Sequence, residues 1–162
     1  EEAQNKAVEL NSYEQEYFWA DDSINSLKKF AEHFNSSLSN WSIDFLNSSQ
    51  SSVSFSVPEY MEELSEEELK SYIFDMGTFN AETLRGDGEC KFTGYCMDED
   101  AADGARIAYF KGERDIKELL EAGFETWHKA VVKDYEYQLS KEGYKEHCEA
   151  NSLEFTEDGE LI

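Results

Sequence analysis

The sequence predicts an α+β fold with antiparallel β-hairpins, helices packed on one face of them and a helix-rich C-terminal half. Two runs of alternating apolar and polar residues lie close together between positions 41 and 57, which is typical of a hairpin with one buried face. Longer segments on both sides repeat apolar residues every three or four positions, as amphipathic helices do. We find neither an internal repeat nor a flexible linker, so we expect a single acidic domain over residues 1–162.

The first half of the chain predicts a helix and then the hairpin. Ser23 is suited to cap a helix whose apolar face is made by Ile24, Leu27, Phe30, Ala31 and Phe34. Ser36–Asn40 breaks that pattern. The predicted strands carry Trp41, Ile43 and Phe45 on one side of a polar connector, residues 47–52, and Val53, Phe55 and Val57 on the other. Pro58 cannot donate to a strand ladder and is expected to end the second strand.

The second half predicts mostly helices. Ser65 and Glu68 form a capping-box pattern before the apolar face of Leu69, Tyr72, Ile73 and Met76, and Gly77 is a stop signal. Residues 78–97 contain several glycines and predict an irregular stretch or a short hairpin. Further helices are expected from Asp98 to Phe110, after Asp115 as far as Leu139, and from Ser140 to near Asn151. The tail predicts a hairpin around the Asp158-Gly159 turn.

The charge is the most unusual property of the composition. The chain has 37 Asp and Glu against 14 Lys and Arg, a formal net charge of -23. A small soluble domain needs a net charge of only roughly 2 to 8, and a larger excess repels itself within the fold. An aromatic share of 14% distinguishes the chain from a disordered acidic tail. Salt adaptation also produces acidic surfaces, but with fewer lysines and fewer large aromatic residues than this sequence has.

The same charge disfavours direct binding to nucleic acid or to an anionic membrane, so we expect a basic, nucleic-acid-binding protein as the partner. A globule of this length is about 40 Å across. Duplex DNA carries one charge per roughly 1.7 Å of its axis, so about 40 Å of duplex carries about 23 charges. The size and charge of the chain therefore resemble those of a short piece of DNA.

Three acidic groups form the candidate partner-binding surface. Their residues are Glu59, Glu62, Glu63, Glu66, Glu67, Glu68, Asp98, Glu99, Asp100, Asp103, Glu142, Glu146 and Glu149. If a single helix runs through the first group, the pairs Glu62/Glu66 and Glu63/Glu67 lie on adjoining turns. For each group taken by itself, the alternative interpretation is an ordinary solvated helix face.

Cysteine and histidine residues offer a different chemistry. Cys90 and Cys96, with His147 and Cys148 downstream, are of the types that ligate zinc, but structural zinc sites usually space their ligands two to four residues apart. Packed cysteines in the interior are the alternative. Asp98–Gly104 lacks the ligand positions of an EF-hand loop, and no phosphate loop or nucleophile elbow is present. We expect no cofactor and no catalytic residue, with a small hydrolase or metalloenzyme using Cys90, Cys96 and His147 as an alternative.

Several stretches resemble a group of small acidic proteins from bacteriophages and mobile elements. They are Glu16–Trp19, Thr93–Asp98, Trp127–Ala130 and, most clearly, Asp134–Ser140 with Cys148–Asn151 and Glu157–Ile162. This resemblance implies no particular activity and transfers no functional residues. In size and charge the chain is also similar to anti-restriction and anti-CRISPR inhibitors, by general character and without a shared motif.

Together these observations predict a phage-type anti-defence inhibitor, anti-CRISPR or anti-restriction, that presents a DNA-like negative surface to the basic groove of a host defence nuclease. The alternative is an antitoxin or assembly-type binding module that neutralises a basic partner outside any DNA groove. Competition with nucleic acid separates the two. Three cysteines, an odd number with no apolar leader before them, predict a reducing compartment, here the cytoplasm of the host bacterial cell.

Overall fold

The predicted α+β class is confirmed by the computed structural model, which describes residues 5–7, 17, 19–46, 48–88 and 91–162. Two small antiparallel hairpins are accompanied by helices that dominate the C-terminal half. The named elements are α1 (Ala20–His33), β1 (Ser37–Ser42), a 3-10 turn (Ser48–Gln50), β2 (Ser52–Ser56), α2 (Glu59–Glu62), α3 (Glu66–Phe74), β3 (Phe79–Asn80), β4 (Arg85–Gly86), α4 (Met97–Phe110), α5 (Ile116–Leu139) and α6 (Lys141–Ala150).

Three helix starts follow the capping signals in the sequence. The Ser65 hydroxyl accepts a bond from the Glu68 amide at 3.3 Å, and the Glu68 carboxylate accepts one from the Ser65 amide at 2.9 Å, so the capping box is complete. The Asp115 carboxylate accepts from the amide two residues later at 2.8 Å. At the start of α6, the Ser140 hydroxyl accepts from the Gly143 amide at 3.1 Å. Each cap satisfies amides that a helix leaves without internal partners.

Other boundaries differ from the prediction. Helix α1 begins at Ala20, and Ser23 is a buried residue inside it whose carbonyl accepts a bond from the Trp127 indole at 3.0 Å. Strand β1 begins at Ser37, within the stretch predicted as a break, because pairing with β2 outweighs the weak strand propensity of serine. In the tail, the predicted hairpin is a single bridge between Phe155 and Leu161 around the turn.

The chain divides into two compact units, Trp19–Val131 and a smaller one formed by Glu1–Phe18 with Val132–Ile162. A single domain over residues 1–162 stays a prediction beside this division. In the larger unit, α1 packs against β1 and α4, and α3 packs against α4. In the smaller unit, Tyr144 and Cys148 of α6 pack against Leu153 and Phe155.

Two glycines set the close crossing of helices in the larger unit. A Cβ atom on Gly104 of α4 would lie 2.4 Å from the carbonyl oxygen of Ala122 on α5. A Cβ atom on Gly123 would lie 2.3 Å from the Phe30 ring and 2.8 Å from the carbonyl oxygen of Ala101. Helices α1, α4 and α5 therefore meet at positions that admit no side chain, around the fully buried Phe30.

Candidate functional site

The densest acidic stretch is carried by α2 and α3. The "acidic segment" is defined here as Glu59, Glu62, Glu63, Glu66, Glu67 and Glu68, all of which are exposed. The condition that one helix runs through it is not met, because α2 ends at Glu62 and α3 begins at Glu66 after the predicted Ser65 cap. Ser65 adopts an extended backbone conformation to cap α3, so the chain cannot continue as a helix through it. The pairs Glu62/Glu66 and Glu63/Glu67 therefore do not lie on adjoining turns of one helix.

The backbone of the acidic segment is fixed by apolar contacts beneath it. Met61 of α2 is 2% exposed, and Leu69 and Ile73 of α3 are also buried. Each helix thus has an inner apolar side and an outer carboxylate side. The carboxylates are held on an ordered surface, which lowers the conformational entropy that binding would otherwise remove.

Three of the six glutamates are already engaged. Glu62 pairs with Lys117 of α5, and Glu66 Oε1 lies 3.1 Å from a guanidinium nitrogen of Arg114. Glu68 is held in the capping box, and its hydrogen bonds from Ser65 lower the pKa of its carboxyl. Within the described parts of the chain, no ion pair reaches Glu59, Glu63 or Glu67. These three carboxylates are the available charges of the acidic segment.

An aromatic cluster and a groove lie beside the acidic segment. The rings of Phe74, Phe79 and Phe110 are within 5.5 to 6.1 Å of one another, and Phe74 and Phe110 are 44% and 45% exposed. A groove of about 610 Å³ is lined by Glu66, Glu67, Lys70, Tyr109, Phe110 and Arg114. Exposed aromatic rings bordered by charged groups are the usual anchors of protein interfaces.

The second predicted group is not an exposed acidic cluster. The prediction that Asp98 belongs to the partner-binding surface is wrong, because Asp98 is buried. Asp98 lies in the first turn of α4 and is only 1% exposed. Its carboxylate accepts bonds from the Ser26 hydroxyl, from the amides of Phe92 and Thr93 at 2.9 and 2.6 Å, and from the Thr93 hydroxyl at 2.9 Å. A carboxylate saturated in this way joins α1, α4 and the segment before α4, so it has no capacity left for a partner.

The remaining members of that group are partly buried around the β3–β4 hairpin. The pKa of Asp100 is raised to about 6, mainly by burial and to a smaller extent by the nearby negative charges of Asp103 and Glu99. The Asp103 carboxylate accepts from the Gly86 amide at 2.8 Å and from Arg106 at 3.0 Å, and burial raises its pKa. These carboxylates lie in the hairpin packing rather than on an open face.

Arg106 is the buried cation that pairs with Asp103. It is 1% exposed, donates to the carbonyl oxygen of Met76 at 2.8 Å, and lies 4.9 Å from the centre of the Phe79 ring. Burial lowers the pKa of its guanidinium, and Asp103 opposes that effect. The second group is therefore mainly structural, since it fixes the β3–β4 hairpin on α4.

The third predicted group lies on α6 in the smaller unit. Glu142, Glu146 and Glu149 are exposed, and their spacing places them along one side of the helix. Lys145 approaches Glu149 at 4.0 Å, and a hydrogen bond to Glu146 raises the pKa of Tyr137. This group remains a candidate surface of the smaller unit.

An acidic face on α5 was missed by the sequence reasoning. Glu118, Glu121 and Glu125 are all exposed, while Leu119, Leu120 and Trp127 of the same helix are buried. The signal was available, since the three glutamates recur at helical spacing between the apolar positions. They were overlooked because the stretch contains no dense run of acids.

The cysteines and histidines do not converge in the part of the chain that the structure describes. Cys90 lies outside the described residues. Cys96 is exposed, whereas Cys148 is buried, and burial raises the pKa of its thiol. Among the described residues, no group of three or more His, Cys, Asp or Glu side chains is placed to hold a metal ion.

The fold does bring a serine to His128, a contact that the sequence did not predict. His128 Nε2 lies 2.9 Å from the Ser51 hydroxyl and 3.1 Å from the carbonyl oxygen of Asp44. The Ser51 hydroxyl also donates to the carbonyl oxygen of Asp44, at 3.1 Å. These contacts close the loop between β1 and β2.

Comparisons of the chain with protein families, with curated proteins and with solved structures gave no match. Among the helices that the structure describes, none combines the length and the apolar character needed to cross a membrane. The function is therefore inferred from the geometry and charge of this chain's own residues.

Proposed function

We propose that this chain is an anti-defence inhibitor that occupies the basic nucleic-acid groove of a host nuclease, such as a restriction enzyme or a CRISPR effector. The observation that carries the proposal is the exposed charge of Glu59, Glu63 and Glu67 on an ordered backbone, with no ion pair to any of the three among the residues described. Across the described residues, exposed carboxylates outnumber exposed lysines and arginines by about two to one. The excess negative charge is therefore presented to solvent by the fold.

Such a surface favours a groove built for phosphates. Proteins that bind DNA place Lys and Arg along a groove, and these cations attract any matching array of anions. Complementary charge raises the association rate and fixes orientation more than it raises affinity. The exposed Phe74 and Phe110 rings beside the acidic segment would add short-range apolar contacts.

A cleavage assay tests the proposal. Purified restriction enzymes and CRISPR effectors cut a fluorescent DNA duplex while the concentration of this protein is raised. We expect stoichiometric inhibition of one of these enzymes, relieved by excess duplex and by salt. Raising the salt from about 0.01 M to about 0.1 M shortens the Debye length about threefold and should weaken inhibition strongly.

A matched pair of variants locates the contact surface. The triple variant Glu59→Gln, Glu63→Gln and Glu67→Gln removes the available charges of the acidic segment. The control triple variant Glu118→Gln, Glu121→Gln and Glu125→Gln removes the same total charge from α5. We expect the first variant to weaken inhibition by at least about tenfold, at roughly 0.5 kcal/mol for each lost contact, and the control to weaken it less.

The outcomes separate the two binding functions. An equal loss of inhibition in the two variants would show that only the total charge matters. It would contradict the assignment of the contact surface to the acidic segment. Tight binding to a basic protein that excess duplex DNA does not displace would favour the antitoxin or assembly-type module. Inhibition that is unchanged by salt would contradict both functions, because both depend on exposed charge.

A further inference from the structure

The β1–β2 hairpin belongs to a stretch that is almost without charge. Residues 35–58 contain a single charged side chain, Asp44, in a chain of which 31% of the residues are charged. Strand β2 reads Ser-Val-Ser-Phe-Ser over Ser52–Ser56, with its serines exposed and Val53 and Phe55 half-buried. The proposed function uses carboxylates, so it does not account for this neutral surface.

Among the residues that the structure describes, the outer edge of β2 pairs with no other strand. At the bulge in β1, the Ser39 hydroxyl donates to the Ser54 carbonyl at 3.0 Å, so the Ser54 backbone faces β1. Because backbone groups alternate in direction along a strand, the N–H and C=O groups of Val53 and Phe55 face away from β1. Among the described residues, no backbone hydrogen bond joins β2 to a segment other than β1.

This edge lacks the features that usually protect one. Natural edge strands carry charged residues, prolines or bulges that prevent another strand from pairing. In this hairpin the bulge lies in β1, between Leu38 and Asn40, while β2 is regular and uncharged. Strand β1 also contacts α1, whereas no comparable contact joins β2 to another described element than β1.

We propose that β2 pairs antiparallel with β2 of a second copy of this chain, about a two-fold axis at Ser54. In this register Val53 of one copy lies opposite Phe55 of the other, and the two Ser54 residues face each other. The outward groups of Val53 and Phe55 form two hydrogen-bonded pairs, and the two hairpins become one four-stranded sheet. The near-symmetric sequence of β2 makes the contact self-complementary, as a two-fold interface requires.

The charge pattern favours a second copy over a basic partner at this edge. Two molecules that each carry a net charge of -23 repel wherever carboxylates face each other. A contact through residues 52–56 brings no charged side chain opposite another, because these five residues carry no charge. A basic partner finds no carboxylate on β2, which makes it the poorer occupant of this edge.

Sedimentation equilibrium of the full chain, over a range of concentrations and at low and high salt, tests the proposal. We expect a weak monomer–dimer equilibrium that strengthens as salt screens the repulsion between the copies. Amide hydrogen exchange adds a residue-specific measurement. The amides of Val53 and Phe55 should gain protection as the concentration rises, whereas the amide of Ser54, which faces β1, should change little.

Two variants with the same added charge test the register. Ser54→Asp places two carboxylates directly opposite each other and should weaken dimerisation by about fivefold or more. The control Ser42→Asp lies on β1, roughly 10 Å from the strand of the second copy, and should weaken it less. Circular dichroism confirms that both variants fold.

Three results would overturn the proposal. They are a monomer at all concentrations in high salt, a dimer that salt weakens, and a dimer that Ser54→Asp leaves unchanged. The proposed inhibitory function would survive each of them, because binding to a basic groove must weaken with salt whereas this dimer must strengthen.

Discussion

Replacing Asp98 by alanine should destabilise the fold severely, although Asp98 is one of many acids in an acidic chain. The carboxylate is 1% exposed and accepts four hydrogen bonds, two of them from the backbone amides of Phe92 and Thr93. Its other two donors are the hydroxyls of Ser26 and Thr93, which can rotate toward new partners. The two amides cannot, so the alanine variant leaves them without an acceptor.

The magnitude follows from those two amides. A buried donor that loses its partner costs about 1 to 3 kcal/mol, so Asp98→Ala should lower the free energy of unfolding by about 2 to 6 kcal/mol. Asp98→Asn keeps one oxygen for the amides and places its NH2 group toward the hydroxyls, so it should cost only about 1 to 2 kcal/mol. A small domain has about 5 to 15 kcal/mol of stability in total, so the alanine variant loses a large share.

Urea unfolding followed by circular dichroism and by tryptophan fluorescence, to which the buried Trp127 contributes, measures both variants. Glu99→Ala is an informative control, since that neighbouring acid makes no hydrogen bond through its buried Oε1 atom. Equal stabilities of the Asp98→Ala, Asp98→Asn and wild-type proteins would refute the reasoning, because they would show that Asp98 is a surface acid as the sequence predicted.

Three further changes probe the fold by other mechanisms. Gly104→Ala should lower the free energy of unfolding by about 2 kcal/mol or more, measured in urea, because its Cβ would lie 2.4 Å from the Ala122 carbonyl oxygen. Asp100 has a pKa raised to about 6, so the folded state binds its proton more tightly and stability falls as the pH rises from about 4 to about 6. Asp100→Asn should remove that fall and raise the free energy of unfolding at neutral pH by about 1 kcal/mol, after allowance for solvent screening. Thermal unfolding measured over a range of pH tests this. Ser65→Ala should cost about 1 kcal/mol through loss of the capping box, whereas Ser71→Ala, at an exposed position inside the same helix, should be neutral.

The sequence predicted the elements whose signals are local. The Ser65 and Ser140 caps and the long helix after Asp115 all depend on residues within one or two turns, and each is confirmed. The helix expected to continue through Met76 to Gly77 ends earlier, at Phe74. The start of β1 was not predictable in this way, because Ser37 and Asn40 enter a strand only by pairing with Ser56 and Ser54. Long-range pairing overrides weak local propensity.

The candidate site likewise contains features that follow from local sequence and features that depend on distant residues. Glu59, Glu63 and Glu67 are exposed, as a dense acidic run predicts; Glu59 and Glu67 lie on α2 and α3, and Glu63 directly follows α2. Burial of Asp98 depends on Ser26, which is 72 positions away along the chain, so no local pattern could have revealed it. The approach of Ser51 to His128 likewise spans 77 positions.

The distribution of charge, more than its total, determines what this surface can do. A uniformly negative protein would bind a basic groove and would repel every other copy of itself. Here the carboxylates are dense on α2, α3, α5 and α6, and they are absent from the two strands of the β1–β2 hairpin. If both proposals hold, salt should act in opposite directions on the two surfaces, weakening attraction to a basic partner and relieving repulsion between copies. If salt weakened both inhibition and self-association, the charged and neutral surfaces would not be acting separately. The proposal that the acidic segment binds a partner while β2 forms the dimer would then fail.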